Sequence, residues 1–186
     1  MKVLFLGSNF GNGHLQFLTL KRLCQNVEKI DPSCGFGTNK FISYIFHKIS
    51  PKIFEPIINI YINTKIKKNY DLIYVKSGEY IGKNLIINLK KKTKKIVYYC
   101  NDNPFVDRDK KRWNLFLSAS KLYDLLIFQD KSRIKPAKKL GLKNVFLTLP
   151  PYDDKVHKSK ISYQTKYKND IVFIGTWFPE RGKFFF

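Results

Sequence analysis

The sequence predicts an α/β protein built on a doubly wound parallel sheet. Three observations carry that expectation. Short β-branched or aromatic runs alternate with helical stretches through most of the chain. The runs Leu72–Val75, Ile96–Tyr99 and Leu125–Phe128 are apolar throughout, as strands covered on both faces must be. Short turns separate strand from helix, which is the βαβα pattern of an open sheet with crossover helices.

The elements follow in order. Lys2–Leu6 reads as the first strand, Gly7–Gly13 as a glycine-rich loop, and His14–Asn26 as a helix with Leu15, Leu18 and Leu23 at helical spacing. Val27–Ile30 is a short second strand. The stretch Phe41–Lys68 is apolar and basic, and Pro51 and Pro56 divide it into at least two helices. Ser50 before Pro51 is suited to cap a helix start. Phe54, Ile57, Ile58, Tyr61 and Ile62 form one helical face, expected to pack on the sheet. The alternative is an amphipathic helix resting on an anionic membrane. Then come strand Leu72–Val75, a helix near Ile81–Leu89, strand Ile96–Cys100 and a helix near Lys111–Leu122. Strand Leu125–Phe128, a helix ending at Gly141 and strand Val145–Leu149 complete the pattern, which is Rossmann-like.

Composition narrows the function classes. Of 186 residues, 35 are Lys or Arg and 14 are Asp or Glu, giving a formal charge of +21. Such a balance points to polyanions or anionic membranes. Yet Arg occurs only at 22, 108, 112, 133 and 181, and Ala only at 119 and 137. That is the residue usage of an AT-rich gene, and sequence-specific nucleic-acid sites favour Arg forks. Specific nucleic-acid binding is therefore not expected, whereas non-specific attraction to polyanions at low salt is. Cys24, Cys34 and Cys100 form no CxxC pair, which fits a reducing cytoplasm rather than a disulfide scaffold. No apolar run reaches the ~18 residues of a membrane span. The run Lys90–Lys95 is expected to be a solvated face at a helix end.

In a doubly wound sheet, ligands bind beyond the carboxyl ends of the strands. Residues expected there are Gly7–His14, Glu79, Asp102, Asp130 and Asp153. Glycines in the first loop allow close backbone approach, and a helix N-terminus favours anions. The loop lacks the Lys-Ser/Thr of a P-loop. Asp31, about twenty residues beyond Gly11, permits a dinucleotide reading. Gln16 in place of a small residue, and a Gly11 too far past the strand for a tight turn, weigh against it. His14 stands where a general base could sit, or serves as a packing residue. Asp107-Arg108-Asp109 has the form of a metal-binding DxD triplet, but is expected to be a surface cluster. The histidines 14, 47 and 157 show no metal-ligand spacing, so no metal site is expected.

One resemblance emerges from these residues. Asn101-Asp102-Asn103-Pro104, Tyr123-Asp124-Leu125-Leu126-Ile127-Phe128, Leu140-Gly141 and Leu149-Pro150-Pro151-Tyr152-Asp153 together resemble the first domain of GT-B glycosyltransferases. The segment Asp170–Arg181, a strand followed by Gly175, an aromatic-Pro turn and Arg181, is similar to the strand opening the second domain of CgeB-like, spore-maturation-type glycosyltransferases. The resemblance implies transfer of a sugar from a nucleotide-sugar donor to an acceptor, in a cleft between two domains and without a resident cofactor. It implies that Gly11 and Gly13 lie near the donor diphosphate and that Asp102 faces the acceptor. His14 becomes a candidate base in an inverting reaction. Gly175 and Arg181 begin the donor side, with Arg181 offering a guanidinium to phosphate.

Residues 1–152 are thus expected to form a Rossmann-like acceptor-side domain and 153–169 a polar linker. Residues 170–186 are expected to begin a truncated donor-binding domain ending on Phe184-Phe185-Phe186, with little transferase activity in this length of chain. Expected partners are a nucleotide-sugar and an acceptor small molecule or glycan, at a cytoplasmic location. The alternative is a non-catalytic Rossmann-like module that meets an anionic membrane or polyanion through its Lys-rich face. A nicotinamide-dependent enzyme is the third reading.

Overall fold

The computed structural model describes residues 1–33, 39–106 and 111–149. By its contacts the chain divides into Met1–Pro151 and Tyr152–Phe186. The expected linker 153–169, the strand Asp170–Ile174, Gly175, Arg181 and the terminal phenylalanines lie outside the described residues. So do Cys34, Asp107–Asp109, Asp153 and His157.

The fold is α/β. Six parallel strands, β1 (Lys2–Leu6), β2 (Asn26–Ile30), β3 (Tyr70–Lys76), β4 (Thr93–Cys100), β5 (Leu125–Phe128) and β6 (Val145–Leu147), lie in the order β2-β1-β3-β4-β5-β6. All five strand pairs are parallel, with Phe5 opposite Tyr74 and Val97 opposite Leu125. The order reverses between β1 and β3. The chain moves outward to β2, then returns to the other side of β1.

Helices cover both faces. Alternate strand residues point opposite ways, so Leu4 and Leu6 join one core with Ile73, Val75, Ile96, Tyr98, Leu126 and Phe128. Helices α3 (Glu55–Lys65), α4 (Lys83–Lys90) and α5 (Asn114–Ala119) close that core with Ile58, Ile62, Leu85, Leu89 and Phe116. On the opposite face Phe5 lies 6.0 Å from Phe17 of helix α1 (Gly11–Leu23), and stacks 5.6 Å from Tyr74. Tyr74 in turn stacks 6.0 Å from Tyr99, making an aromatic row across β1, β3 and β4. Burial of each large aliphatic side chain contributes about 1.5–3 kcal/mol.

Several boundaries differ from expectation, each for a local reason. Helix α1 begins at Gly11 rather than His14, because the first turn of a helix needs few intrahelical donors and tolerates Gly-Asn-Gly. It ends at Leu23, where Cys24 turns extended while its N–H still reaches the Leu20 carbonyl. In the Phe41–Lys68 stretch, helix α2 (Lys40–Lys48) is capped by Asn39, and Ser50 caps a 3₁₀ turn, Pro51–Phe54, before α3. Pro56 does not break α3. It sits in the first turn, where its missing N–H costs nothing. Ile58 and Ile62 are fully buried, with Phe54 and Tyr61 packed beside them, but Ile57 turns outward and is 55% exposed.

Strand β4 begins at Thr93, so Lys94 and Lys95 belong to a strand rather than a helix end, and both are exposed. Asp124 aligns β4 with β5: its carboxylate accepts from the Ile96 N–H at 2.7 Å and its own N–H donates to the Ile96 carbonyl at 2.9 Å. Helix α6 (Ile134–Lys139) stops at Gly141, whose φ of 76° suits glycine.

Candidate functional site

The reversal of strand order between β1 and β3 opens a crevice at the carboxyl edge, where adjacent crossovers leave in opposite directions. A cleft of about 520 Å³ lies there. Three loops build it, those following β1, β3 and β4, with Asp31 and Ser33 after β2 and Tyr61 of α3 completing the wall.

The first loop is held by Asp31. Its two carboxylate oxygens accept from the N–H groups of Asn9 at 2.8 Å and Ser33 at 2.9 Å. Gly7 leaves β1 so close to its neighbours that a Cβ there would lie 2.5 Å from the Phe5 ring and 2.9 Å from Lys76 Cβ. Gly13 lines the cleft, packed against the backbone of Ser8. Gly11 does not line it and faces open space. His14 is also outside. It is exposed, with Nδ1 3.4 Å from Lys29 Nζ and its ring beside Phe17.

The floor is Lys76, the last residue of β3, which is only 9% exposed. Its Nζ donates to Asn101 Oδ1 at 2.8 Å and lies 5.2 Å above the Tyr99 ring. Burial is the main influence lowering its pKa. Cys100, Asp102 and Glu79 oppose that shift, and Arg133 adds to it. Arg133 is itself buried, with Nη1 donating to the Cys100 carbonyl at 3.2 Å. The Cys100 thiol is pushed up to about 11 by burial, so it is a packing residue and not a nucleophile at neutral pH.

The backbone after Lys76 is strained. Ser77 has φ 69°, and the Gly78 N–H bonds back to the Lys76 carbonyl at 3.0 Å, which closes a γ-turn of the rare positive-φ kind. Gly78 follows at φ 74°, and a Cβ on it would lie 2.7 Å from the Tyr98 ring. Strain of this kind costs about 1–3 kcal/mol per residue and concentrates at functional sites. The turn delivers Glu79, whose carboxylate pairs with the Arg112 Nε, and the Arg112 guanidinium lies 5.2 Å from the Trp113 ring. From β4 come Asn101 and Asp102, the latter exposed and lining the cleft.

The structure therefore brings Gly13, Glu79 and Asp102 together and leaves Gly11 and His14 apart from them. Asp130 does follow β5 at the carboxyl edge, as expected, but it does not line this cleft and caps a 3₁₀ turn by accepting from the Ser132 N–H at 2.8 Å. Gly175 and Arg181 lie outside the described residues. Sequence reading missed Lys76 and Asn101. The signal was a lysine ending an apolar strand immediately before Ser-Gly.

The cleft's charge is unlike that of the chain. Among the described residues its walls hold three carboxylates, Asp31, Glu79 and Asp102, and one lysine, whereas the chain has 35 basic and 14 acidic residues. Aromatic rings of Phe10, Tyr61 and Tyr80 stand among them. Among the described residues no group of three or more His, Cys, Asp or Glu could hold a metal ion, and no helix is long and apolar enough to cross a membrane. Neither a protein-family model nor a curated protein matches the sequence.

Proposed function

We propose that this chain is the acceptor-side, Rossmann-like portion of a GT-B glycosyltransferase of the CgeB-like type. It would move a sugar from a nucleotide-sugar donor to a hydroxyl of its acceptor, on the cytoplasmic side of the membrane. The observation that carries the reading, beside the resemblance, is the carboxylate-rich and aromatic switch-point cleft in a strongly basic chain. Carboxylates accept hydrogen bonds from sugar hydroxyls, and aromatic faces pack on the apolar faces of pyranose rings. Of the three carboxylates, Glu79 is paired with Arg112 and Asp31 accepts from the Asn9 and Ser33 N–H groups, while Asp102 is the exposed one. In the transfer, the acceptor oxygen bonds to the anomeric carbon and the anomeric bond to the diphosphate breaks. The nucleoside diphosphate leaves with the electron pair, and the hydroxyl proton passes to a base. Asp102 is the exposed cleft carboxylate best placed for the acceptor side.

Ligand-observed NMR with a panel of free sugars and nucleotide-sugars tests this, together with release of nucleoside diphosphate. Saturable binding by at least one sugar, weakened tenfold or more by Asp102→Asn, is expected. Absence of any sugar or nucleotide-sugar binding, or binding indifferent to Asp102→Asn and Lys76→Met, overturns it.

A second reading, contact with an anionic membrane, is favoured by a separate observation. Phe41, Tyr44, Ile49, Ile53, Ile57 and Ile60 are all more than half exposed along the stretch from α2 through the Pro51–Phe54 turn to α3. Ile53, Ile57 and Ile60 stand at helical spacing, with exposed Lys52, Lys65 and Lys67 flanking them. Flotation with phosphatidylglycerol vesicles, against neutral phosphatidylcholine, tests it; equal or absent binding in both removes it.

A further inference from the structure

A second hollow, of about 750 Å³, shares no residue with the switch-point cleft. Its floor includes Phe105, Leu117 and Leu122, all packed against the main core, and Leu140, which is 44% exposed. Phe105 is set edge-on to the buried Phe128, with ring centres 5.6 Å apart. Among the described residues its rim carries three exposed lysines, Lys83, Lys121 and Lys139, and no carboxylate. Among the described residues none of the three forms an ion pair. The two serines in the wall are already engaged: Ser118 Oγ donates to the Leu115 carbonyl at 2.6 Å and Ser120 Oγ to the Leu117 carbonyl at 2.9 Å. Among the described residues the charged groups left to meet a ligand are therefore the three ammonium groups.

An apolar floor beneath an unneutralised basic rim has a definite complement. A neutral apolar molecule leaves the rim charge unanswered, and a small inorganic anion leaves the floor wet. A molecule with an apolar body and an anionic head satisfies both. The volume lies within the range of small-molecule sites. We propose that this hollow binds an amphipathic monoanion of the aliphatic carboxylate class. The chain lies on Phe105, Leu117 and Leu122, and the head sits among Lys83, Lys121 and Lys139. The site is independent of the sugar cleft, and its failure leaves that reading untouched.

Titration calorimetry of the purified chain with decanoate, below its micelle concentration, tests the proposal. One saturable equivalent is expected, with butyrate and decan-1-ol each at least tenfold weaker. Lys121→Gln/Lys139→Gln should weaken decanoate at least tenfold. The charge-matched control Lys91→Gln/Lys92→Gln, at exposed positions away from the hollow, should change it less than twofold. All four substitutions are at exposed lysines, so unchanged thermal unfolding verifies the fold of each variant. Unsaturable uptake, equal loss in the two double variants, or decanol binding as tightly as decanoate overturns the proposal. So does binding to phosphatidylglycerol vesicles with none to monomeric decanoate.

Discussion

Lys76 Nζ lies 2.8 Å from Asn101 Oδ1, so the last residue of β3 is tied to the first residue after β4 at the floor of the cleft. A strand interior offers a lysine no such partner. The pair exists because both strands end at the same level, with Lys76 in register with Tyr99. A buried ammonium met only by neutral groups, the Asn101 amide, the Ser77 hydroxyl at 3.4 Å and the Tyr99 ring, is costly to the fold, and its position facing the cleft gives it a use that stability does not.

Lys76→Met separates those two roles. The thioether fills the same space without the desolvation cost, and Asn101 is exposed enough to turn to water. The variant should be more stable than the parent at pH 7, by about 1 kcal/mol, while losing affinity for cleft ligands. The folded chain holds the Lys76 proton less tightly than the unfolded chain, whose value is near 10.5. The penalty is therefore complete below the lowered folded value and fades as the pH rises through it toward 10.5. Thermal unfolding across pH 7–10 should show the variant's advantage shrinking with pH. An advantage that is constant or grows would mean that Lys76 is not penalised by burial.

A different pair contributes to the acid limb. Glu28 on β2 is held below the usual carboxylate range by its hydrogen bond to Lys68, and next by that from the Tyr70 hydroxyl. The Tyr70 phenol is pushed up, mainly by burial and then by Glu28. The Glu28 contribution is complete above its unfolded value of 4.5 and is lost as the pH falls through the lower folded value. The Tyr70 contribution is complete below 10 and is lost as the pH rises further. The Glu28 side chain is 44% exposed, so solvent screening limits its share. Glu28→Gln should cost about 0.5–1 kcal/mol at pH 7 and nothing in strong acid, where the two proteins should unfold together. Urea midpoints at pH 7 and at pH 2.5 check both halves.

The strands were legible because their physics is local. Leu72–Val75, Ile96–Cys100 and Leu125–Phe128 are apolar on both alternations, and only a sheet covered on two faces buries such runs. The cleft was half legible. Gly13, Glu79 and Asp102 follow strands directly and their place is implied by topology alone. Lys76 was not legible, because a lysine after an apolar run ordinarily marks the return to solvent. Its burial depends on Tyr99 and Asn101, 23 and 25 residues further along, meeting it across a strand pair. His14 looked close to the site in sequence, but one helical turn carries it round to Lys29.

The turn after β3 distinguishes two kinds of glycine. Gly78 needs both its positive φ and its missing Cβ, since an added methyl carbon would lie 2.7 Å from the buried Tyr98 ring. Gly11 also has a positive φ, 55°, but meets nothing within 4 Å. Gly11→Ala should cost only the backbone strain, about 1–2 kcal/mol. Gly78→Ala should cost that and the displacement of Tyr98, about 3 kcal/mol or more in all. It should also reduce cleft binding, because Ser77 and Glu79 move with the turn. Guanidinium unfolding of the two variants ranks them; equal losses would mean that Tyr98 yields without cost.

Adjacent isoleucines on α3 offer the most direct test of which face carries which role. Ile58 is fully buried in the core, whereas Ile57 is 55% exposed beside the exposed Ile53 and Ile60. Ile58→Ala leaves a cavity and should cost about 2–5 kcal/mol. Ile57→Ser removes a side chain that faces solvent, and stability should change by no more than about 0.5 kcal/mol. Vesicle flotation should reverse the ranking. If the outward stripe meets an anionic bilayer, Ile57→Ser combined with Ile60→Ser removes apolar contact and lowers the bound fraction several-fold, while the fold is intact. The basic flank attracts the chain to the surface from a distance, and the stripe holds it there. Binding should therefore fall both with added salt and with loss of the isoleucines. Binding abolished by salt but indifferent to the double variant would assign the attraction to lysines alone and leave the stripe without a membrane role.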